Sequence, residues 1–195
     1  MQPAFPTIPG PITEISQTNI NLGETKLSGW DVDAKWGIPT GAYGKFTLGL
    51  AGTYFIKYDV QNIDGSFTSA IDTANNSTGG VIPRCKHYAF VNWGFGPWST
   101  TFAQNYQGDY KDMPATFDAP GDPVRTVEEY ITYDLQTVYT GFKNLTLAFG
   151  IKNLFDEDPP YTNAGGQVYF QAGYDPGYAD PRGRFAYARV NYKFF

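Results

Sequence analysis

Apolar and polar residues alternate with a period of two through most of this chain, and no window of a dozen positions carries the three-and-four spacing of an amphipathic helix. Side chains of successive strand residues point to opposite faces, so this alternation predicts strands with one apolar and one polar face. In 27–36, Trp30, Val32, Ala34 and Trp36 fall on one side and Asp31, Asp33 and Lys35 on the other. In 45–58, Phe46, Leu48, Leu50, Tyr54 and Ile56 share a face opposite Thr47, Gly49, Ala51, Thr53 and Lys57, with Phe55 as the exception. The pattern recurs in 84–94, more weakly, and then in 97–108, 127–140, 144–154 and 183–194. These segments are about as long as the strands that cross a membrane as a barrel. A further edge strand is open at 12–22, where two prolines and two glycines precede it.

The connections between these strands alternate in length. Those at 37–44, 94–97 and 141–144 are short, whereas 59–83, 109–126 and 156–182 are long. In an up-and-down meander all tight turns then lie at one end and all long loops at the other. Outer-membrane barrels are built this way, with short periplasmic turns and long extracellular loops. Aromatic placement agrees. Trp36, Phe46, Trp93, Trp98, Tyr139 and Phe142 sit beside the short turns, and Tyr54, Tyr58, Tyr106 and Tyr110 at the long-loop ends, as girdles at two membrane interfaces require. The expected fold is all-β: an antiparallel up-and-down meander forming a partial transmembrane β-barrel of about seven to eight strands. The competing architecture is a soluble, aromatic-rich β-domain that buries its apolar faces between two sheets and binds carbohydrate.

Composition narrows the chemistry. The chain has 195 residues, of which 17% are aromatic and 17% charged, and its net charge is −5. No basic stripe exists to neutralise phosphates, which argues against a nucleic-acid partner. A single cysteine, Cys85, excludes an internal disulfide and a multi-cysteine metal site. The first residues, MQPAFPTIPG, lack the basic start and apolar run of a signal peptide. The expectation is therefore a chain that stays inside the cell or one that is not the natural start of its gene product.

No catalytic constellation emerges, so the chain is expected not to be an enzyme and to carry no cofactor or metal. Cys85 and His87, the only histidine, share a strand face, but two incidental residues at a strand start explain them as well. Asp156, Glu157, Asp158, Asp175 and Asp180 read as a solvated loop. Tyr161, Tyr169, Phe170, Tyr174 and Tyr178 in 156–182 are the ligand-contact candidates, because tyrosine offers rigid area plus a hydroxyl. Equally, these rings pack the loop on itself. The polar set Asp31, Asp33, Lys35, Lys57, Asp134, Gln136 and Lys152 is expected to hydrate a barrel interior rather than bind substrate.

The segment LTLAFGIKNLFDEDPPYTN (145–163) resembles the penultimate strand of TonB-dependent outer-membrane receptors, which runs into Asn-Leu-Phe-Asp, here Asn153, Leu154, Phe155 and Asp156. A Pro/Tyr loop follows, and a last strand opens at Gly183 and Arg184 and closes on the in-phase aromatics Tyr192 and Phe194. KLSGWDVDAKW (26–36), GKFTLGLAGTYFIKYD (44–59) and GPWSTTFAQNYQGDY (96–110) also resemble late barrel strands of that family. Phe195 beyond the terminal phase, and Arg189 where a glycine is common, depart from its pattern. The resemblance implies an irregular lead-in over 1–26, the C-terminal barrel segment over 27–195, and no plug domain in this chain. It further implies a bacterial outer-membrane location and contact with lipid, with the remainder of the barrel and plug, and with a small nutrient such as a metal chelate, vitamin or glycan. Without plug or coupling box, the chain alone is expected not to carry out energised transport.

Overall fold

A computed structural model describes residues 23–75, 80–114, 123–163 and 173–194. Seven long strands follow one another in a single antiparallel sheet: β1 (Thr25–Pro39), β2 (Lys45–Gln61), β3 (Cys85–Phe95), β4 (Trp98–Gln107), β5 (Tyr130–Phe142), β6 (Leu145–Lys152) and β7 (Phe185–Tyr192). Each pairs with the next in chain order. A short eighth strand, Phe67–Ser69, doubles back on the end of β2. All seven predicted strands are present, with ends displaced by at most three residues. The segment 12–22 lies outside the described residues.

Register explains why alternation was so plain. One row of cross-strand partners runs Trp36, Leu48, Val91, Phe102, Leu135, Ile151, Ala186 across all seven strands. The adjacent row runs Gly37, Thr47, Asn92, Thr101, Gln136, Gly150, Tyr187. A slip of one residue in any pairing would exchange the two faces, so burial chemistry and register specify each other. Between Ser28 and Gly29 the β1–β2 register shifts at a bulge. Below it, Phe55 pairs with Gly29 in the polar phase and helps line the concave side of the sheet, which accounts for the exception in that strand's pattern.

Among the described residues no second sheet covers the apolar face. Trp36 is 67% exposed and Val190 66%, values foreign to a sandwich core. The described chain is a single curved layer, as a barrel wall is. Its aromatic belt at the short-turn end is continuous: Phe46 stacks on Trp93 (6.4 Å), Trp93 on Phe95 (5.9 Å), Trp98 lies against Tyr139 (4.5 Å), and Tyr139 meets Phe142 edge-on (5.2 Å). At the other end Tyr54 and Tyr106 are on the apolar face, but Tyr110 is buried among the loops and belongs to no girdle. The β1–β2 turn closes at Gly44, whose φ of 89° and close approach to the Gly94 carbonyl admit no Cβ.

Candidate functional site: a lumenal hollow under interlocked loops

The polar rows converge on a hollow of about 990 Å³ on the concave side. Asp31, Thr53, Lys86, Asn105, Thr132 and Asp134 line it from the strands, and residues 176–183 of the last long loop line it from above. Hydrogen bonds knit this surface across strands. Thr53 Oγ1 donates to Asp31 Oδ1 (2.6 Å), Asn92 Nδ2 to Thr101 Oγ1 (2.8 Å), and Asn105 Nδ2 to Asp134 Oδ2 (3.3 Å). A wet interior of alternating donors and acceptors is what the polar face builds.

Above the hollow the second and third long loops and the start of β5 build one small core of Tyr110, Val127, Tyr130, Tyr178 and Ala179, against which Ala74 and Val81 of the first long loop pack. Tyr178 stands at its centre. Its ring meets Tyr110 edge-on at 5.0 Å, and its hydroxyl donates to the Gly108 carbonyl (2.9 Å). Asp112 provides the polar half of the lock. Its buried carboxylate accepts from Thr162 Oγ1 (2.6 Å), from the Asn163 amide (3.0 Å) and from the Met113 amide (2.8 Å). Loop 62–84 joins through the Lys111 amide, which donates to the Asp72 carbonyl (2.7 Å), while Asp72 receives the Arg84 guanidinium at 2.8 Å.

Burial pushes the Tyr110 hydroxyl up to about 12 from an ordinary 10.0, and burial likewise raises Tyr178. A raised phenol means that the folded cluster favours the neutral form. Its stabilisation is therefore intact below pH 10 and is lost as pH climbs towards about 12. We expect tyrosinate absorbance and loop amide exchange to rise together in that window, while strand amides stay protected. Loops that loosen near neutral pH would contradict this.

The predicted residues divide three ways. Tyr178 is buried in the loop core, and Tyr174 is half-buried. Tyr161 is 55% exposed at the loop surface, with the Arg125 guanidinium over its ring at 4.9 Å. Tyr169 and Phe170 lie outside the described residues. The barrel-end residues form one structured turn. Asn153 and Asp156 adopt positive φ (50° and 63°). Asn153 exchanges side-chain hydrogen bonds with the Glu157 backbone, and its amide donates to Asp134 Oδ1 (2.9 Å). The Leu154 amide donates to the Tyr133 carbonyl (2.6 Å), and Phe155 meets the Tyr133 ring edge-on at 5.3 Å. Asp156 Oδ1 accepts the Arg184 amide (2.6 Å), tying the turn to the start of β7. Tyr192 pairs with Leu145 and meets Phe194 edge-on at 4.9 Å. Cys85 and His87 share the outward phase of β3; His87 stacks on Tyr106 at 4.8 Å, and His87 and Tyr106 also border the hollow.

Asp112, Arg125 and Asp134 were not singled out as site residues from the sequence. Asp112 and its partners Thr162 and Asn163 are about fifty positions apart, a separation that leaves no periodic trace.

The family model described as TonB dependent receptor-like, beta-barrel matches residues 2–154. No curated protein matches the chain. Among solved structures, a point variant of the ferric enterobactin receptor of Pseudomonas aeruginosa is similar at 21% identity and a TM-score of 0.53, covering 86% of this chain and 22% of that one. The copper transporter OprC is similar at 16% identity and a TM-score of 0.54, covering 87% of this chain and 24% of that one. The chain thus spans less than a quarter of the length of either structure.

Proposed function

The chain belongs to the TonB dependent receptor-like β-barrel family, and on that premise we propose that it forms part of the wall and three extracellular loops of an outer-membrane nutrient receptor. The ligand class is a metal chelate, vitamin or glycan. The observation that carries this reading is the single-layer sheet, apolar outward and polar towards a loop-capped hollow. A soluble sandwich has no use for an uncovered apolar face of that extent. One of the two similar structures is a ferric enterobactin receptor and the other a copper transporter, which supports a metal complex as the first ligand class to test.

Tyr161 and Arg125 are the contact residues of this proposal. Both are exposed, and the cation over the ring presents an aromatic face beside a positive charge. The Asp112 lock, acting through Thr162 and Asn163, holds Tyr161 in place. The remainder of the barrel, the plug and the outer-membrane lipid are the partners of the intact receptor.

The test uses the 195-residue chain folded in lipid, with a ferric catecholate, a corrinoid and a soluble glycan as probes and tyrosine fluorescence as readout. One probe should quench saturably, and Tyr161→Ala should weaken it about tenfold, as loss of an aromatic anchor does. No saturable response to any of the three, or a response indifferent to both Tyr161→Ala and Arg125→Ala, would reject the assignment.

A further inference from the structure

The charged side chains lining the hollow are not equally committed. Its carboxylates are each engaged by a donor of the chain. Asp31 accepts from Thr53 Oγ1 (2.6 Å), Asp134 from the Asn153 amide (2.9 Å), and Asp180 from Arg182 Nε (2.9 Å). The cations divide. Arg182 is spent on Asp180, whereas Lys86 and Lys152 make no ion pair and no side-chain hydrogen bond among the described residues. Elsewhere at this end of the sheet Lys57 pairs with Asp59 (3.1 Å) and Arg84 with Asp72 (2.8 Å). Lys152 even stands beside Asp134, one position beyond the Leu135–Ile151 pair, yet that carboxylate bonds to the Asn153 amide and to Asn105 instead.

Register sets the two ammonium groups on opposite sides of the hollow. Lys86 lies on β3 and pairs with Gln107 of β4. Lys152 lies on β6, in the row that reaches β4 at Ala103. The two positions are therefore three strands and four residues apart. At about 4.8 Å per strand and 3.3 Å per residue that is roughly 20 Å along the wall. Phe55, Tyr88 and Phe185 line the same surface.

An ammonium group has three donors and no acceptor. The uncommitted capacity of the two lysines is thus donor capacity, placed at two points among aromatic rings. A neutral glycan brings hydroxyls that need acceptors as well as donors, and the carboxylates here are already engaged. A bare metal ion needs several carboxylate, imidazole or thiolate groups converging on one point. Among the described residues no group of three does so. A complex that carries anionic oxygens on opposite sides answers both lysines, and its planar rings find apolar faces on the aromatic lining.

We propose that Lys86 and Lys152 are specificity-determining residues of the hollow, and that they select an anionic, oxygen-rich metal complex over a neutral complex and over the free ion. This rests on the receptor reading above and narrows its ligand class.

The experiment is equilibrium dialysis of the full chain folded in lipid against three probes: an anionic ferric tris-catecholate, a neutral ferric tris-hydroxamate and cupric ion alone. The catecholate complex should bind at least about tenfold more tightly than the other two. Lys86→Gln and Lys152→Gln should each weaken it about tenfold, as loss of a charge-assisted contact does, and leave the neutral complex unchanged. Lys86→Arg and Lys152→Arg keep the charge and should retain most of the binding. Added salt should weaken the catecholate complex in the parent chain more than in the double Gln variant. Binding that is indifferent to charge on the complex, or unchanged by both Gln substitutions, overturns the proposal while the receptor reading stands. Absence of saturable binding by all three probes overturns both.

Discussion

Replacing Tyr178 by alanine is expected to undock the three long loops from one another while the seven-stranded wall stays paired. The ring is buried against Tyr110 and Tyr130, and its hydroxyl answers the Gly108 carbonyl. Truncating a buried aromatic of this size costs about 3–5 kcal/mol where the cavity cannot collapse. The loop core has few members, so no neighbour is available to refill the space. Hydrogen exchange on the lipid-folded chain should show loss of protection in 108–114 and 123–129 as well as in 173–183. Protection within β2, β3 and β6 should persist. Tyr178→Phe keeps the ring and removes only the hydroxyl, so it should cost about 1–2 kcal/mol and retain most of the docking. Loss of protection confined to 173–183 would mean that the loops stand independently.

A second large effect is expected at the middle of the apolar face. Leu50 pairs with Ala34 and Ala89 on that face, and Ala51, the next residue, pairs with Asp33 and Tyr88 on the polar one. Leu50→Arg should destabilise the lipid-folded chain by about 2–4 kcal/mol, because a guanidinium at mid-bilayer depth must be desolvated or must thin the membrane around it. Ala51→Arg should change stability by under about 1 kcal/mol, since the new cation meets water and the Asp33 carboxylate. Denaturant midpoints in the same lipid measure both. Equal losses at the two positions would place both faces in the same kind of environment and remove the basis for a barrel wall.

The contrast between neighbouring residues shows how far a linear reading goes. Strand positions, their polarity and the alternation of short and long connections are local properties. Each follows from which side of a pleated chain a residue occupies, and Trp30, Val32, Ala34 and Trp36 against Asp31, Asp33 and Lys35 state it within a few residues. The turn at Asn153, Leu154, Phe155 and Asp156 was legible as a motif for the same reason. Its side chains bond to backbone only a few positions away, apart from Asp134 and Arg184. The loop core was not legible. Tyr110 and Tyr178 had the composition of a girdle residue and of a ligand contact, and only their meeting across the fold made them a core.

Alternation and loop lengths determined by themselves that this protein is an antiparallel meander whose strands have an oily side and a wet side, because both depend on chain-local geometry; that the oily side stays uncovered was decided by the tertiary structure. Only the tertiary structure decided what the long loops do. Asp112 and Thr162 lie fifty positions apart, and their bond depends on how the curved sheet brings the loop bases together. Strand register likewise decided that His87 and Gln104 meet as hydrogen-bond partners across β3 and β4.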